Sequence, residues 1–317
     1  MTRILFITAT RIGDAILFSG PLAHLLEAYP DARVTVACGP LAAPLFAAAP
    51  GVEQVIVMAK KKGGGHWFDL WRAVARTRWD LVVDMRGSIT SWGLCAKSRK
   101  VNRRRPGHEH DHRVREAAAV LGLDPPPSPK LWISGDAIRT ADTHLPKGRP
   151  VLAVSPAASA PYKEWAPERF AALIDALTGP GGAMAGAAVA LFGGPGDEAT
   201  AKAVGAACRQ SGIIDLTGRL ALPETAACLS RARLFLGNDS GLMHMAAAAG
   251  TATLGLFGPT DERIYGPWGD RARSIHAGEA ADENARGTLR HSEESLMGAL
   301  QVDAVLHAAE TLLTDTT

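Results

Sequence analysis

The sequence predicts an α/β protein of two halves, each built on a parallel, doubly wound sheet. Three observations lead there. Short apolar runs alternate with segments whose apolar residues recur at helical spacing, the pattern of parallel strands joined by crossover helices. The alternation stops at a Pro-rich stretch, residues 123–130 (LDPPPSPK), and starts again at residue 151. The 317 residues suffice for two domains of ordinary size.

Each element follows in order. Residues 3–8 (RILFIT) read as a buried strand and 9–14 (ATRIGD) as a turn; 15–29 carry Ile16, Leu17, Leu22, Leu25 and Leu26 at helical spacing. Strands are expected at 33–37, 54–58 and 81–84, helices at 41–49 and 68–77, and a flexible basic loop at 60–65 (KKKGGG). Residues 97–113 are strongly basic and His-rich and read as a solvated surface segment. The Pro-rich stretch can be neither helix nor central strand. A short strand at 131–133 and a helix at 136–144 belong to the passage between domains, so the division is expected as 1–147 and 148–317. In the second half strands are expected at 151–155, 187–192, 213–216, 234–238, 253–257 and 273–276. Pro167 opens a helix at its first turn, further helices run to about Cys208 and over 222–230, and residues 277–295 read as a polar, mobile segment. An amphipathic helix at 302–313 ends the chain and is a candidate to pack back on the N-terminal domain.

Composition narrows the function classes. A chain 47% hydrophobic and 21% charged is globular, with a large core. The formal charge of +2 provides no global field for nucleic acid, and no aromatic residue lies between Trp92 and Leu131 to stack bases beside the basic run. Cys38, Cys95, Cys208 and Cys228 lack metal-ligand spacing and suit a reducing cytosol. No signal peptide or membrane-spanning run is present, so any membrane work is peripheral. The alternating His108, His110 and His112 are a weak metal pattern beside the plainer reading of solvated histidines.

The stretch that carries most chemistry is 234–250 (LFLGNDSGLMHMAAAAG). It reads as a buried strand, a tight turn and a helix N-terminus, with Asp239 or Ser240 as N-cap and Gly241 leaving the backbone open to approach. Unpaired amides and the helix dipole make such a turn an anion site, although an ordinary capped helix has the same pattern. In doubly wound sheets ligands lie beyond the carboxyl ends of the strands. Asp14 follows one such end, and Arg86, Gly87 and Ser88 follow another.

Several motifs in this order resemble glycosyltransferase family nine, the ADP-heptose:lipopolysaccharide heptosyltransferases and relatives. They are ILFITATRIGDAILFSGPL, DLVVDMRGSITS, SPAASAPYKEWAPERF, LFGGPGDEATAKAV and the long segment from LTGRLALPE to LGLFGPTD. The resemblance implies the GT-B architecture, two Rossmann-like domains facing a central cleft, with acceptor in the N-terminal domain and nucleotide-sugar in the C-terminal one. It implies an inverting transfer of heptose, or a related sugar, from an ADP-sugar to a lipopolysaccharide inner-core acceptor, on the cytoplasmic face of the inner membrane. Asp14, preceded by Gly13 in the same turn, matches the proposed general base; its other reading is a helix cap. Lys163 matches a lysine beside the phosphates. Asp239, Ser240, Gly241 and His244 match the donor-binding segment, and Asp197 or Glu198 an acidic position facing the ribose. Thr260 and Asp261 are candidates to line the same cleft. No Asp-x-Asp occurs, so the donor is expected to need no metal and the enzyme no cofactor. Arg99, Arg103, Arg104 and Arg105 would suit a phosphorylated lipid A and Kdo acceptor. The sequence departs from the family pattern at Ala-Thr-Arg before Ile12 and at Ala157, where a Gly is usual. A nucleotide-sugar 2-epimerase or a non-catalytic nucleotide-sugar-binding module on the same scaffold are the alternatives.

Overall fold

The computed structural model describes residues 2–103, 107–210, 212–278 and 294–316. The chain forms two compact units, Met1–Trp132 and Ile133–Thr317, each with one parallel sheet.

In the first unit β1 (Arg3–Ile7), β2 (Arg33–Cys38), β3 (Val52–Val57), β4 (Trp79–Asp84) and β5 (Ala96–Val101) lie in the order β3-β2-β1-β4-β5. The inner strands are almost wholly buried, as a sheet covered by helices on both faces requires. The expected helix at 15–29 is two helices, α1 (Ile12–Leu17) and α2 (Ser19–Ala28). Pro21, in the first turn of α2, has no N–H for a continuing helix, and the chain breaks at Phe18. At 41–49 only a single 3-10 turn forms, Ala43–Leu45. Helices α3 (Gly65–Val74) and α4 (Arg113–Leu121) complete the unit.

Two readings of this half are corrected. Residues 96–101, expected as solvated surface, are strand β5. An edge strand keeps one side open, so Lys97, Ser98 and Lys100 stay exposed while its backbone pairs with β4. Residues 131–133 are not a strand; the Pro-rich stretch before them lies along α2, where the Lys130 amide donates to Ser19 Oγ at 2.8 Å. Gly20 permits this passage, since a Cβ there would lie 2.3 Å from the Pro127 carbonyl oxygen.

The second unit begins with α5 (Gly135–His144), which packs on α8 (Leu222–Ser230) and is tied to it by Arg231, whose guanidinium donates to the Ala141 carbonyl and pairs with Asp142. The units therefore divide after Trp132, where the sequence suggested Lys147. Strands β6 (Val151–Ser155), β7 (Ala188–Leu191), β8 (Ile214–Asp215), β9 (Leu234–Asn238), β10 (Ala252–Phe257) and β11 (Ala272–His276) lie in the order β11-β10-β9-β6-β7-β8. Between them run α6 (Pro167–Thr178), α7 (Glu198–Ala207), α9 (Gly241–Ala248) and α10 (Glu262–Tyr265). The terminal helix α11 (Val302–Asp315) buries Val305, Ala309, Leu312 and Leu313 in this unit's core against α6 and β10. Full burial of a Val or Leu side chain stabilises by about 1.5–3 kcal/mol. Residues 279–293, most of the segment expected to be mobile, lie outside the described residues.

Candidate active site

Both sheets reverse their strand order once, between β1 and β4 in the first unit and between β6 and β9 in the second. At such a reversal the two neighbouring crossovers leave in opposite directions and open a crevice beyond the carboxyl ends of the strands. Lys163 follows β6, Asp239 and Ser240 follow β9, and Asp14 follows β1.

In the second unit β9 runs fully buried into Asn238. Gly237 lies opposite Ser155 of β6, and a Cβ there would sit 2.8 Å from the Ser155 carbonyl oxygen. Ser240, with extended backbone, is the N-cap of α9; its Oγ accepts from the Met243 amide at 3.5 Å, and Gly241 is the first helical residue. The opening turn thus keeps backbone donors and the positive end of the helix dipole at the strand-order reversal. His244 lies one turn further along α9 and is buried.

Lys163 ends a 3-10 turn, Pro161–Lys163, and its Nζ lies 2.6 Å from Asp239 Oδ2, with side chains only 16% and 10% exposed. A pair so withdrawn from water holds its geometry firmly, because separating the charges would leave each desolvated and unpaired. Asn238 locks the surrounding loops. Its Nδ2 donates to the Pro156 carbonyl at 2.6 Å, and its Oδ1 accepts from the Trp165 amide at 3.3 Å. Trp165 is core, edge-on to Phe170, with its indole N–H donating to the Leu300 carbonyl at 2.9 Å. The chain returning after residue 293 braces the same turn, since the Leu296 amide donates to the Tyr162 carbonyl at 3.0 Å.

The acids after β7 are engaged locally. Asp197 Oδ2 accepts from the Gly194 amide at 2.7 Å and Glu198 Oε2 from the Gly196 amide at 2.8 Å, so both carboxylates shape the glycine loop that precedes α7. Thr260 and Asp261 follow β10 and are buried; Asp261 caps α10 and binds Arg263 through both carboxylate oxygens.

In the first unit Asp14 is the third residue of α1, after Gly13, while the N-cap is Arg11. Its carboxylate is partly exposed, with Arg113 Nε at 3.8 Å from Oδ1. Arg113 is itself held by Glu116 and lies over the Phe18 ring. Asp84, at the end of β4, is fully buried and accepts from the Arg86 and Ser88 amides and from Ser88 Oγ, which fixes the turn after that strand. Arg99 is a structural clamp rather than an exposed cation: its guanidinium donates to the carbonyls of Ser91, Leu94 and Ala96. Arg103 lies over the Trp92 ring; Arg104 and Arg105 fall outside the described residues. His108 pairs with Asp111 at 2.8 Å and His112 Nδ1 accepts from the Val114 amide at the start of α4. Among the described residues no group of three His, Cys, Asp or Glu side chains could hold a metal.

The sequence profile described as "Glycosyltransferase family 9 (heptosyltransferase)" matches residues 92–291. The chain belongs to glycosyltransferase family 9. It is similar to lipopolysaccharide heptosyltransferase 3 of Escherichia coli, 25% identical over 96% of this chain and 97% of the relative. Among solved structures, a family 9 glycosyl transferase from Veillonella parvula DSM 2008 superposes with a TM-score of 0.83 at 22% identity, over 99% of this chain and 98% of that one. The E. coli ADP-heptose lps heptosyltransferase II gives a TM-score of 0.77 at 21% identity, over 100% and 99%. The fold is that of the GT-B glycosyltransferases, and the chain is a glycosyltransferase.

Three features of this family 9 glycosyltransferase escaped the sequence reading. Asn238 could not be told from a turn residue until its two partners were located. Glu164 adjoins Lys163; its Oε1 accepts from the Ala158 amide at 3.0 Å, while burial, and then the charge of Asp197, raise its pKa above the usual carboxylate range. The brace formed by residues 294–300 follows a polar stretch and carries no motif of its own.

Proposed function

We propose that this glycosyltransferase moves heptose, or a related sugar, from an ADP-sugar to a lipopolysaccharide inner-core acceptor with inversion, and that Asp14 is the general base. The observation that carries the reading is the ammonium of Lys163, held 2.6 Å from Asp239 beside the N-terminus of α9 at the strand-order reversal. As the acceptor oxygen bonds to the anomeric carbon, the bond to the diphosphate breaks and negative charge grows on the leaving oxygen. Lys163 and the amides opening α9 suit that charge, having been positioned before the reaction. Asp239 retains an oxygen for sugar hydroxyls, and His244 and Gly241 belong to the same helix end. Asp197 and Glu198 keep free lone pairs for ribose hydroxyls beyond the loop amides they accept.

Asp14 takes the proton that the acceptor hydroxyl loses. Asp14 stands in the first turn of α1, whose N-cap is Arg11. Arg103, with the neighbouring Arg104 and Arg105, suits the anionic acceptor. The lipopolysaccharide relative and the ADP-heptose enzyme among the neighbours support both substrate assignments. No helix among the described residues is long and apolar enough to cross a membrane, and a cytoplasmic protein that works at the inner face of the membrane accords with this.

Asp14→Asn tests the reading. Transfer from ADP-heptose should fall by about 10²–10⁴-fold, with calorimetric ADP affinity unchanged. Transfer at the wild-type rate would remove Asp14 from the chemistry.

A further inference from the structure

Two carboxylates compete for the cation beside Asp14, and only one of them holds it. Arg113 opens α4, which packs on α1 and α2. One guanidinium nitrogen of Arg113, Nη1, is bonded to Glu116 Oε2, one turn along the same helix. The Nε lies 3.8 Å from Asp14 Oδ1, well beyond the roughly 2.7–2.9 Å of a charge-assisted hydrogen bond. That Nε is buried and has no hydrogen-bond partner among the described residues. The guanidinium also lies over the Phe18 ring, 4.9 Å from its centre.

Glu116 is fixed from its other side. Its Oε1 accepts from Asn102 Nδ2 at 2.7 Å, and the same Nδ2 donates to the Met85 carbonyl at 3.2 Å. The Asn102 amide donates to the Asp84 carbonyl at 2.8 Å. Glu116 is thereby anchored to the ends of β4 and β5, and Arg113 through it. The other charged groups on the surrounding elements are occupied or turned outward. Asp84 spends its carboxylate on the turn after β4, and His112 Nδ1 accepts from the Val114 amide. Arg11 of the α1 cap, Arg115 of α4 and His24 and Glu27 of α2 are exposed.

We propose that Glu116 is a positioning residue: it holds Arg113 near Asp14 but short of a hydrogen bond, which leaves the Asp14 oxygen open to the acceptor hydroxyl. This rests on the reading of Asp14 as the base. A guanidinium bonded to Asp14 would stabilise the charged carboxylate and occupy a lone pair that must receive the proton. The negative charge of Glu116 is what prevents this. Without it the guanidinium would have one carboxylate left, and a half-buried cation moves to the countercharge within reach.

The pH dependence of kcat/KM for transfer tests it. The rate of a base-catalysed step rises with pH until the base is ionised. Glu116→Gln keeps the side-chain length and an acceptor for Asn102, so circular dichroism and thermal midpoint are expected near wild type. It should move the acid limb about one unit to lower pH and lower the plateau about tenfold. Arg113→Gln removes the cation and should move the limb the other way. In the Arg113→Gln background, Glu116→Gln should move it no further. The Asp14 carboxyl carbon, followed by NMR without substrate, should titrate with the same displacements. A Glu116 that only favours the start of α4 would lose stability with the limb unmoved, and that result would overturn the proposal. So would an equal displacement by Glu116→Gln whether or not Arg113 is present. Asp14→Asn separates the two readings. Transfer at the wild-type rate in that variant would end the base assignment and this proposal with it. An inactive Asp14→Asn beside an unmoved limb in Glu116→Gln would end this proposal alone.

Discussion

Lys163 is the side chain whose surroundings constrain its role most. It pairs with Asp239, 76 residues away in the chain, and the pair is nearly withdrawn from solvent. Lys163→Ala would remove the positive charge beside the helix end and leave Asp239 with no countercharge. A charged hydrogen bond of this kind contributes about 1.5–3 kcal/mol, so calorimetric titration should show ADP binding roughly ten- to a hundredfold weaker. Unchanged ADP affinity would take Lys163 out of the nucleotide site. By contrast Cys38 and Cys228 are packing groups: burial pushes their thiols up to about 12 and about 11, leaving almost no thiolate at neutral pH. The lack of metal-ligand spacing among the cysteines was readable from the sequence. Their individual burial was not, and Cys95 is exposed.

Among the elements, β9 and α9 do the most positioning, and Asn238 is where they meet the loop after β6. Both hydrogen bonds of the Asn238 side chain go to backbone groups of that loop. Asn238→Ala would leave the Pro156 carbonyl and the Trp165 amide inside without these partners, each at a cost of about 1–3 kcal/mol. Urea unfolding of the intact chain should show the transition of the second unit destabilised by about 2–6 kcal/mol, with ADP affinity reduced because Lys163 loses its support. A variant of wild-type stability would show that the brace from residues 294–300 suffices. The β9–α9 unit was legible in advance, since an apolar run, a Ser cap and an Ala-rich helix lie within a few residues of one another. β5 was not legible: its charges match a solvated segment, and only pairing with β4 makes it a strand.

For the whole molecule, the two sheets repeat one plan, with the strand-order reversal beside the first strand of each. That plan accounts for candidates so far apart in the chain as Asp14, Lys163 and Asp239. A nucleotide that binds only the folded protein raises its thermal midpoint by mass action, by the equivalent of about 2.7 kcal/mol at a hundred times its Kd. A thermal-shift series with ADP, GDP, UDP and CMP should therefore show the largest rise with ADP. A larger rise with UDP or GDP would change the donor while leaving the fold and the glycosyltransferase class intact.

Local chemistry set what the order of residues could specify unaided: the alternation of strand and helix, Pro167 at a helix start, Ser240 as a cap, and the motifs of a glycosyltransferase. Such features depend on neighbours within about one helical turn or one strand, and that information is contiguous in the chain. Folding decided the rest. It joined Lys163 to Asp239, turned Asp197 and Glu198 back on their own loop, spent the Arg99 guanidinium on three carbonyls, and brought residues 294–300 against the Lys163 turn. Each of these depends on where a side chain's hydrogen-bond partners lie in space. A polar residue in a one-dimensional string looks the same whether its partner will be water, a ligand or a backbone carbonyl.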